Sequence, residues 1–262
     1  MNTPTGAPTG IDPRGVAALV TGGNRGIGEA FVRALRDAGA SRVYVGSRDP
    51  AAAAHLVAEA PDRTVAVQLD VSKPEQIANA AAQCKDVRIL VNNAGAFHNV
   101  TLMRAPDMTA MRDEMEVNYF AVIAMARAFA PLIAAGGGGS IVNVLSAGGI
   151  GVMPVMGGYS PSKFAARAAS TCLRAELAPM NIHVAALIVG SVDTRMASHV
   201  DGQKEPPSAI AKAGLRAIKK AIDEMDTDYM AVEVRASMAR DPKGFERAVA
   251  KLLTTDKIST GR

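Results

Sequence analysis

Short apolar runs and longer amphipathic stretches alternate along most of this chain. Val16–Val20, Arg42–Val45, Thr64–Leu69, Ile89–Asn92, Ser140–Leu145 and His183–Ile188 read as strands, because a strand buried on both faces is a nearly continuous apolar run. Between them, helical patterns cover Ile27–Ala38, a segment opening at Asp49-Pro50, Thr109–Ala135 and Gly158–Ala178. Gly39 and the Gly136–Gly139 run stand where helices end, and Asp49 with Pro50 suits a cap and a first-turn proline. Strands alternating with helices of this length form parallel βαβ units, so the fold expected is α/β, a doubly wound parallel sheet. Six strands are expected, followed by a helical tail that includes Phe245–Leu253. Such a sheet takes its ligand at the carboxyl ends of the strands, where the chain order reverses.

The domain reading is a disordered lead-in over residues 1–13, rich in Pro, Gly and Thr, and one domain over 14–262. Residues 190–262 are expected to form the substrate-binding and C-terminal helical region. With 262 residues, 48% hydrophobic and 21% charged, the chain has ordinary globular composition, which excludes a disordered or collagen-like protein. No apolar signal core opens the sequence, and no stretch is read as approaching the roughly 20 apolar residues of a membrane span. A cytoplasmic protein without membrane contact is therefore expected. Cys84 and Cys172 are too few for a disulfide framework, and His55, His98, His183 and His199 lack metal-ligand spacing, so no metal is expected. The net charge of +4 is scattered rather than gathered in a basic block, and 4% aromatics with no Trp offer little for base stacking, so no nucleic-acid partner is expected.

The first strand leads directly into Thr21-Gly-Gly-Asn24-Arg25-Gly26-Ile27-Gly28. Gly22 suits a tight turn, Gly26 and Gly28 let backbone approach a pyrophosphate, and the helix that follows points its first N–H groups at the anion. Where an NAD site places an acid, at the end of the second strand, this chain reads Gly46-Ser47-Arg48. Arg48, helped by Arg25, suits the extra 2′-phosphate of NADP(H), with Asp49 read as a helix cap. Further on, Tyr159 and Lys163 share a helix face. A phenol is a poor base at neutral pH, and a nearby ammonium stabilises its anion. Ser146, at the end of the fifth strand, can orient the same substrate oxygen.

These residues resemble the short-chain dehydrogenase/reductase family over roughly 14–195, through Thr21-Gly-x-x-x-Gly-Ile-Gly28, Asn92-Asn-Ala-Gly95, Asn118, Ser146, Tyr159 and Lys163. The resemblance implies a Rossmann-type fold in which Asp70 and Val71 contact the adenine. It also implies that Asn93, Ala94 and Gly95 flank the cofactor, and that Ile188, Gly190 and Thr194 reach the nicotinamide side. In that reading Tyr159 is the acid/base, Ser146 steadies the carbonyl, Lys163 binds the ribose, and Asn118 kinks the long helix and holds a relay water. The family pattern further implies a homo-oligomer, dimer or tetramer. Two departures stand out: Val189-Gly190 where Pro-Gly is frequent, and no recognisable last strand with a Gly-Gly-rich end.

By family position the pocket wall falls to Phe97, His98, Met153, Met156 and Met196. The acidic run Asp223, Glu224, Asp226, Asp228 and Glu233 reads as solvated helix ends with Thr227 or Asp228 as a cap. Alternatively an acid there, or Glu246 on the final helix, pairs with a substrate ammonium, and the pattern is faintly similar to amino-alcohol dehydrogenases and amino-ketone reductases. The function expected is an NADP(H)-dependent oxidoreductase interconverting a small ketone and a secondary alcohol, an amino alcohol being one form of it. A catalytically silent NADP(H)-binding sensor would be expected to lack some of Asn118, Ser146, Tyr159 and Lys163. A Rossmann-like methyltransferase would need no Tyr-Lys pair.

Overall fold

The computed structural model describes residues 7–198 and 202–253; His199 and the remainder of the lead-in and tail lie outside them. In chain order the elements are β1 (Ala17–Thr21), α1 (Gly26–Asp37), β2 (Arg42–Ser47), α2 (Ala54–Glu59), β3 (Thr64–Gln68), α3 (Pro74–Gln83), β4 (Val87–Asn92), α4 (Thr109–Met115) and α5 (Ala121–Ala135). They continue with β5 (Gly139–Val144), α6 (Tyr159–Leu177), β6 (Ile182–Ile188), α7 (Pro207–Lys220), β7 (Glu224–Asp226), α8 (Tyr229–Arg240) and α9 (Pro242–Ala250).

The strands form one sheet in the order β3-β2-β1-β4-β5-β6-β7, with every neighbouring pair parallel. Alternate side chains of β1 feed opposite faces, as the period of two demands. Leu19 joins Phe129, Ile133 and Leu90 in one core layer, with α3 and α5. Val20 joins Phe31, Leu35 and Ile89 in the other, with α1 and α7. Phe31 and Phe129 are fully buried, each worth about 2 kcal/mol against exposure. The chain order reverses between β1 and β4, and the carboxyl ends of those two strands frame the crevice where the candidate site lies.

Six strands were expected and a seventh is present. β7 is a three-residue edge strand pairing Glu224–Asp226 with Ala186–Ile188. Its charged Glu-Met-Asp sequence lacks the apolar run that marks the other strands, as suits a short, charged sheet edge. Arg167 of α6 forks onto the Glu224 carboxylate (2.8 and 2.9 Å). Arg235 of α8 bridges Asp226 and Glu224 (2.6–2.7 Å). Asp223 pairs with Arg174 at 3.3 Å. The expected cap is at Asp228, whose carboxylate accepts the Ala231 N–H at 3.0 Å and also the Gly190 N–H at 2.7 Å. The acidic run is thus mostly a sheet edge clamped by arginines rather than a set of solvated helix ends.

The helix expected over Thr109–Ala135 is interrupted by a π-helical turn at Glu116–Phe120. The reading that no stretch approaches a membrane span is also corrected. Over these 27 residues an 18-residue window reaches a mean hydropathy of 1.6, enough by length and composition. Met125, Phe129 and Ile133 of this segment are buried against the sheet, so the apolarity serves a core helix. Part of the expected lead-in is placed as well: the Ile11 N–H donates to the Ile218 carbonyl at 3.1 Å.

Candidate active site

Thr21 ties the end of β1 to the end of β4. Its hydroxyl accepts the Asn93 and Ala94 N–H groups, both at 3.0 Å, while the Asn93 amide donates to the carbonyls of Thr21 (2.9 Å) and Gly22 (3.1 Å). Gly22 and Gly26 take φ of +60° and +55°, the left-handed region that glycine enters without steric cost. A β-carbon on Gly28 would overlap the Gly22 carbonyl oxygen. Asn24 is half-buried in the turn. Arg25 precedes α1 without a side-chain cap, so the first-turn N–H groups around Ile27 are left to an outside acceptor.

No acid stands at the end of β2. The Ser47 hydroxyl donates to the Asp49 carbonyl at 2.5 Å, and the Asp49 carboxylate accepts the Ala51 N–H at 3.0 Å, the cap expected of it. Arg25 has its pKa lowered by burial and by the positive charges of Arg195 and then Arg48. Among the described residues none of these three arginines forms an ion pair. Like charges gathered without a counter-charge are costly unless an anion joins them, and this cluster together with the uncapped helix and the crowded glycine turn fits NADP(H). Arg195 escaped the sequence reading because a lone arginine in a loop carries no signal. Only the return of the chain after β6, which brings Thr194 to 3.3 Å from the β-carbon position of Gly26, sets it beside Arg25. Asp70 is occupied locally: its carboxylate accepts the Ser72 N–H (3.0 Å) and hydroxyl (2.7 Å). Val71 is buried in the core.

Tyr159 begins α6 and Lys163 stands one turn later, its Nζ 5.6 Å from the phenol ring centroid and donating to the Val144 carbonyl at 3.1 Å. Phe97 meets the Tyr159 ring edge-on at 5.1 Å. The Ser146 hydroxyl accepts the Gly148 N–H at 3.0 Å, which fixes the turn leaving β5. Burial pushes the Tyr159 phenol up to about 12; Ser146 acts against this by hydrogen bonding, and the Glu114 charge adds to it. Burial also brings Lys163 down to about 8. Both groups are desolvated toward their neutral forms. Asn118 lies in the π turn, where its amide donates to the Ala96 carbonyl and to Ser162 (both 2.9 Å) and accepts the Ala96 N–H (3.0 Å). Its side chain thus pins the loop after β4 to α6, one residue from Lys163. Gly95 sits between them, its β-carbon position 3.3 Å from Asn118 Oδ1 and 3.9 Å from Lys163 Nζ.

Of the expected wall residues, Phe97 is brought against Tyr159. The His98 ring turns to Asp113 instead (2.7 Å). Met153 packs with the small core cluster under Phe245, Met156 closes a turn onto the Met153 carbonyl, and Met196 is exposed. Glu246 faces solvent on α9, and the neighbouring Phe245 fills the space beside Gly151. The Ile188 carbonyl already accepts the Thr227 N–H (3.0 Å) and hydroxyl (3.1 Å). Among the described residues no group of three or more His, Cys, Asp or Glu could hold a metal ion.

A model of the short chain dehydrogenase family matches residues 16–205. The structure is similar to that of a short chain dehydrogenase from Burkholderia cenocepacia in complex with NADP, at 36% identity and a TM-score of 0.84, covering 94% of this chain and all of the other. Among curated proteins it is 30% identical over 210 residues to the short chain dehydrogenase pigC of Monascus ruber, covering 76% of this chain and 69% of pigC. It is 33% identical over 190 residues to the 3-alpha-(or 20-beta)-hydroxysteroid dehydrogenase of Mycobacterium bovis, covering 71% of this chain and 72% of that enzyme. The chain spans only half the length of some of its curated relatives.

Proposed function

This chain belongs to the short-chain dehydrogenase family, and from that premise we propose that it is an NADP(H)-dependent oxidoreductase interconverting a ketone and a secondary alcohol, with Tyr159 as acid/base. The observation that carries the reading is the meeting of Tyr159, Lys163 and Ser146, with Lys163 against Gly95 and the adjoining Ala94 against Gly22 of the glycine turn. NADP(H), the cofactor bound by the Burkholderia relative, supplies or accepts the hydride. Arg48 and Arg25 would hold the 2′-phosphate, and the open N-terminus of α1 would receive the pyrophosphate. In the reducing direction the phenol, protonated at neutral pH, gives its proton to the carbonyl oxygen while Ser146 orients that oxygen. Lys163, with a pKa brought near 8, is poised to replace the proton. Asn118 keeps Ala96 and Ser162 in register so that the phenol meets its substrate in one geometry.

The substrate reading is a mainly apolar ketone or alcohol. Phe97 walls the phenol, and Leu102, which is exposed, has its backbone close to Gly157 just ahead of it, where an apolar substituent could cover its side chain. The amino-alcohol form of the expectation loses its main support, since Glu224 and Asp226 already face arginines. Two unpaired cysteines accord with a reducing, cytoplasmic setting, and the homo-oligomer implied by the family pattern is part of the same proposal. The test is NADP⁺ reduction, followed by absorbance, with a panel of secondary alcohols in which each amino alcohol is paired with its des-amino analogue. The neutral apolar members should turn over at least as well. A strong preference for the amino members would overturn the apolar reading, and tight NADPH binding with no turnover of any member would favour the silent sensor.

A further inference from the structure

Glu114, the next-to-last residue of α4, is 1% exposed. One carboxylate oxygen, Oε1, accepts the His98 N–H at 2.8 Å. The other, Oε2, is buried with no hydrogen-bond partner and lies against Gly158, so close that a β-carbon there would overlap it. Gly158 is the residue before Tyr159. No arginine or lysine is paired with this carboxyl among the described residues, and the charged neighbours that act on it are His98 and Asp113, which pair with each other at 2.7 Å. Tyr159 in turn feels Glu114 and Ser146, with Lys163 over its ring. A buried, unpaired carboxyl is costly to keep, and four residues before Asn118 on a helix facing the core an apolar side chain would do the packing without that cost.

We propose that Glu114 is a positioning residue that acts through Tyr159: its buried carboxylate holds the phenol in the protonated form and so delays alcohol oxidation until the medium is alkaline. Burial raises the pKa of Glu114 itself, the His98 N–H working against this. In the alkaline range where a phenol titrates, the carboxyl is nonetheless ionised. Its charge then opposes a second negative charge on the phenol, and the repulsion is weakly screened because Glu114 is out of water. Removing the charge while keeping the shape should release the phenol proton more easily. The inference rests on the oxidoreductase reading only for its consequence on turnover; the coupling between the two groups is measurable without substrate.

The experiment is ¹³C NMR of protein labelled at the tyrosine Cζ, with the Tyr159 signal assigned by its loss in Tyr159→Phe. In Glu114→Gln the amide oxygen keeps an acceptor for the His98 N–H. The ratio of ionised to neutral Tyr159 at a common pH between about 9 and about 11 should rise roughly threefold to tenfold, equivalent to about half to one pH unit. The alkaline rise of kcat/KM for alcohol oxidation should move to lower pH by the same amount. Glu114→Asp, which retains the charge, should stay close to wild type in both. An unchanged ratio in folded Glu114→Gln would overturn the proposal, as would an equal shift in Glu114→Asp. A loss of kcat at every pH without a shift would mark Glu114 as packing alone. A shifted NMR ratio in a protein that oxidises no alcohol would leave the coupling standing and overturn the oxidoreductase reading instead.

Discussion

Tyr159→Phe is expected to lower turnover by roughly 10²–10⁴-fold, the usual contribution of a positioned acid/base, while NADPH binds with an affinity within about threefold of wild type. The substitution keeps the ring that Phe97 meets edge-on and over which Lys163 sits, so packing around the site is conserved. Only the hydroxyl is removed, together with its interaction with Ser146. Because the phenol is pushed up to about 12, it enters the reducing reaction carrying its proton. The check is kcat with the best substrate of the panel alongside a fluorescence titration of NADPH. Turnover above about a tenth of wild type would remove Tyr159 from the proton transfer.

The second large effect concerns the cofactor. The double variant Arg25→Ala with Arg48→Ala should weaken NADPH binding by about 10²-fold and NADH binding by no more than about threefold. Hydrogen bonds between charged groups contribute about 1.5–3 kcal/mol each when partly shielded. Both arginines are exposed, so the lower figure applies, and two of them amount to about 3 kcal/mol. The loss of the 2′-phosphate from NADH removes their partner, which is why the two cofactors should respond differently. Calorimetric titration of both cofactors decides the matter. Equal weakening would move the arginines to the pyrophosphate, and no weakening would leave their convergence on Arg25 without a ligand.

What the sequence made legible was whatever the physics writes locally. β1 is an apolar run that stops at Thr21 and gives way to glycines, and both the turn and the crowding at Gly28 follow from residue types alone. The Tyr159–Lys163 pair declares itself by spacing on a helix and Asp49 declares itself as a cap, whereas the choice between Thr227 and Asp228 is made only by the fold. Features that depend on distant partners were not legible. Glu224-Met-Asp226 carries no strand signal until Arg167 and Arg235 neutralise it from two helices. Arg195 means nothing until the loop after β6 returns beside the glycine turn. Glu114 sits in Arg-Asp-Glu-Met-Glu, which reads as a solvated helix face, and becomes a buried acid only because the π turn at Glu116–Phe120 and the close approach of Gly158 close over it. His98, expected in the pocket wall, turns instead to Asp113 fifteen residues on.

The most direct test of hydride transfer is isotopic. The protein is incubated with NADP⁺ and secondary alcohols carrying deuterium at the carbinol carbon, and the cofactor is recovered for mass spectrometry. Deuterium is expected in the recovered NADPH with wild type and almost none with Tyr159→Phe. NADPH bound tightly by the wild-type protein, with no deuterium transferred from any alcohol of the panel, would contradict the oxidoreductase reading.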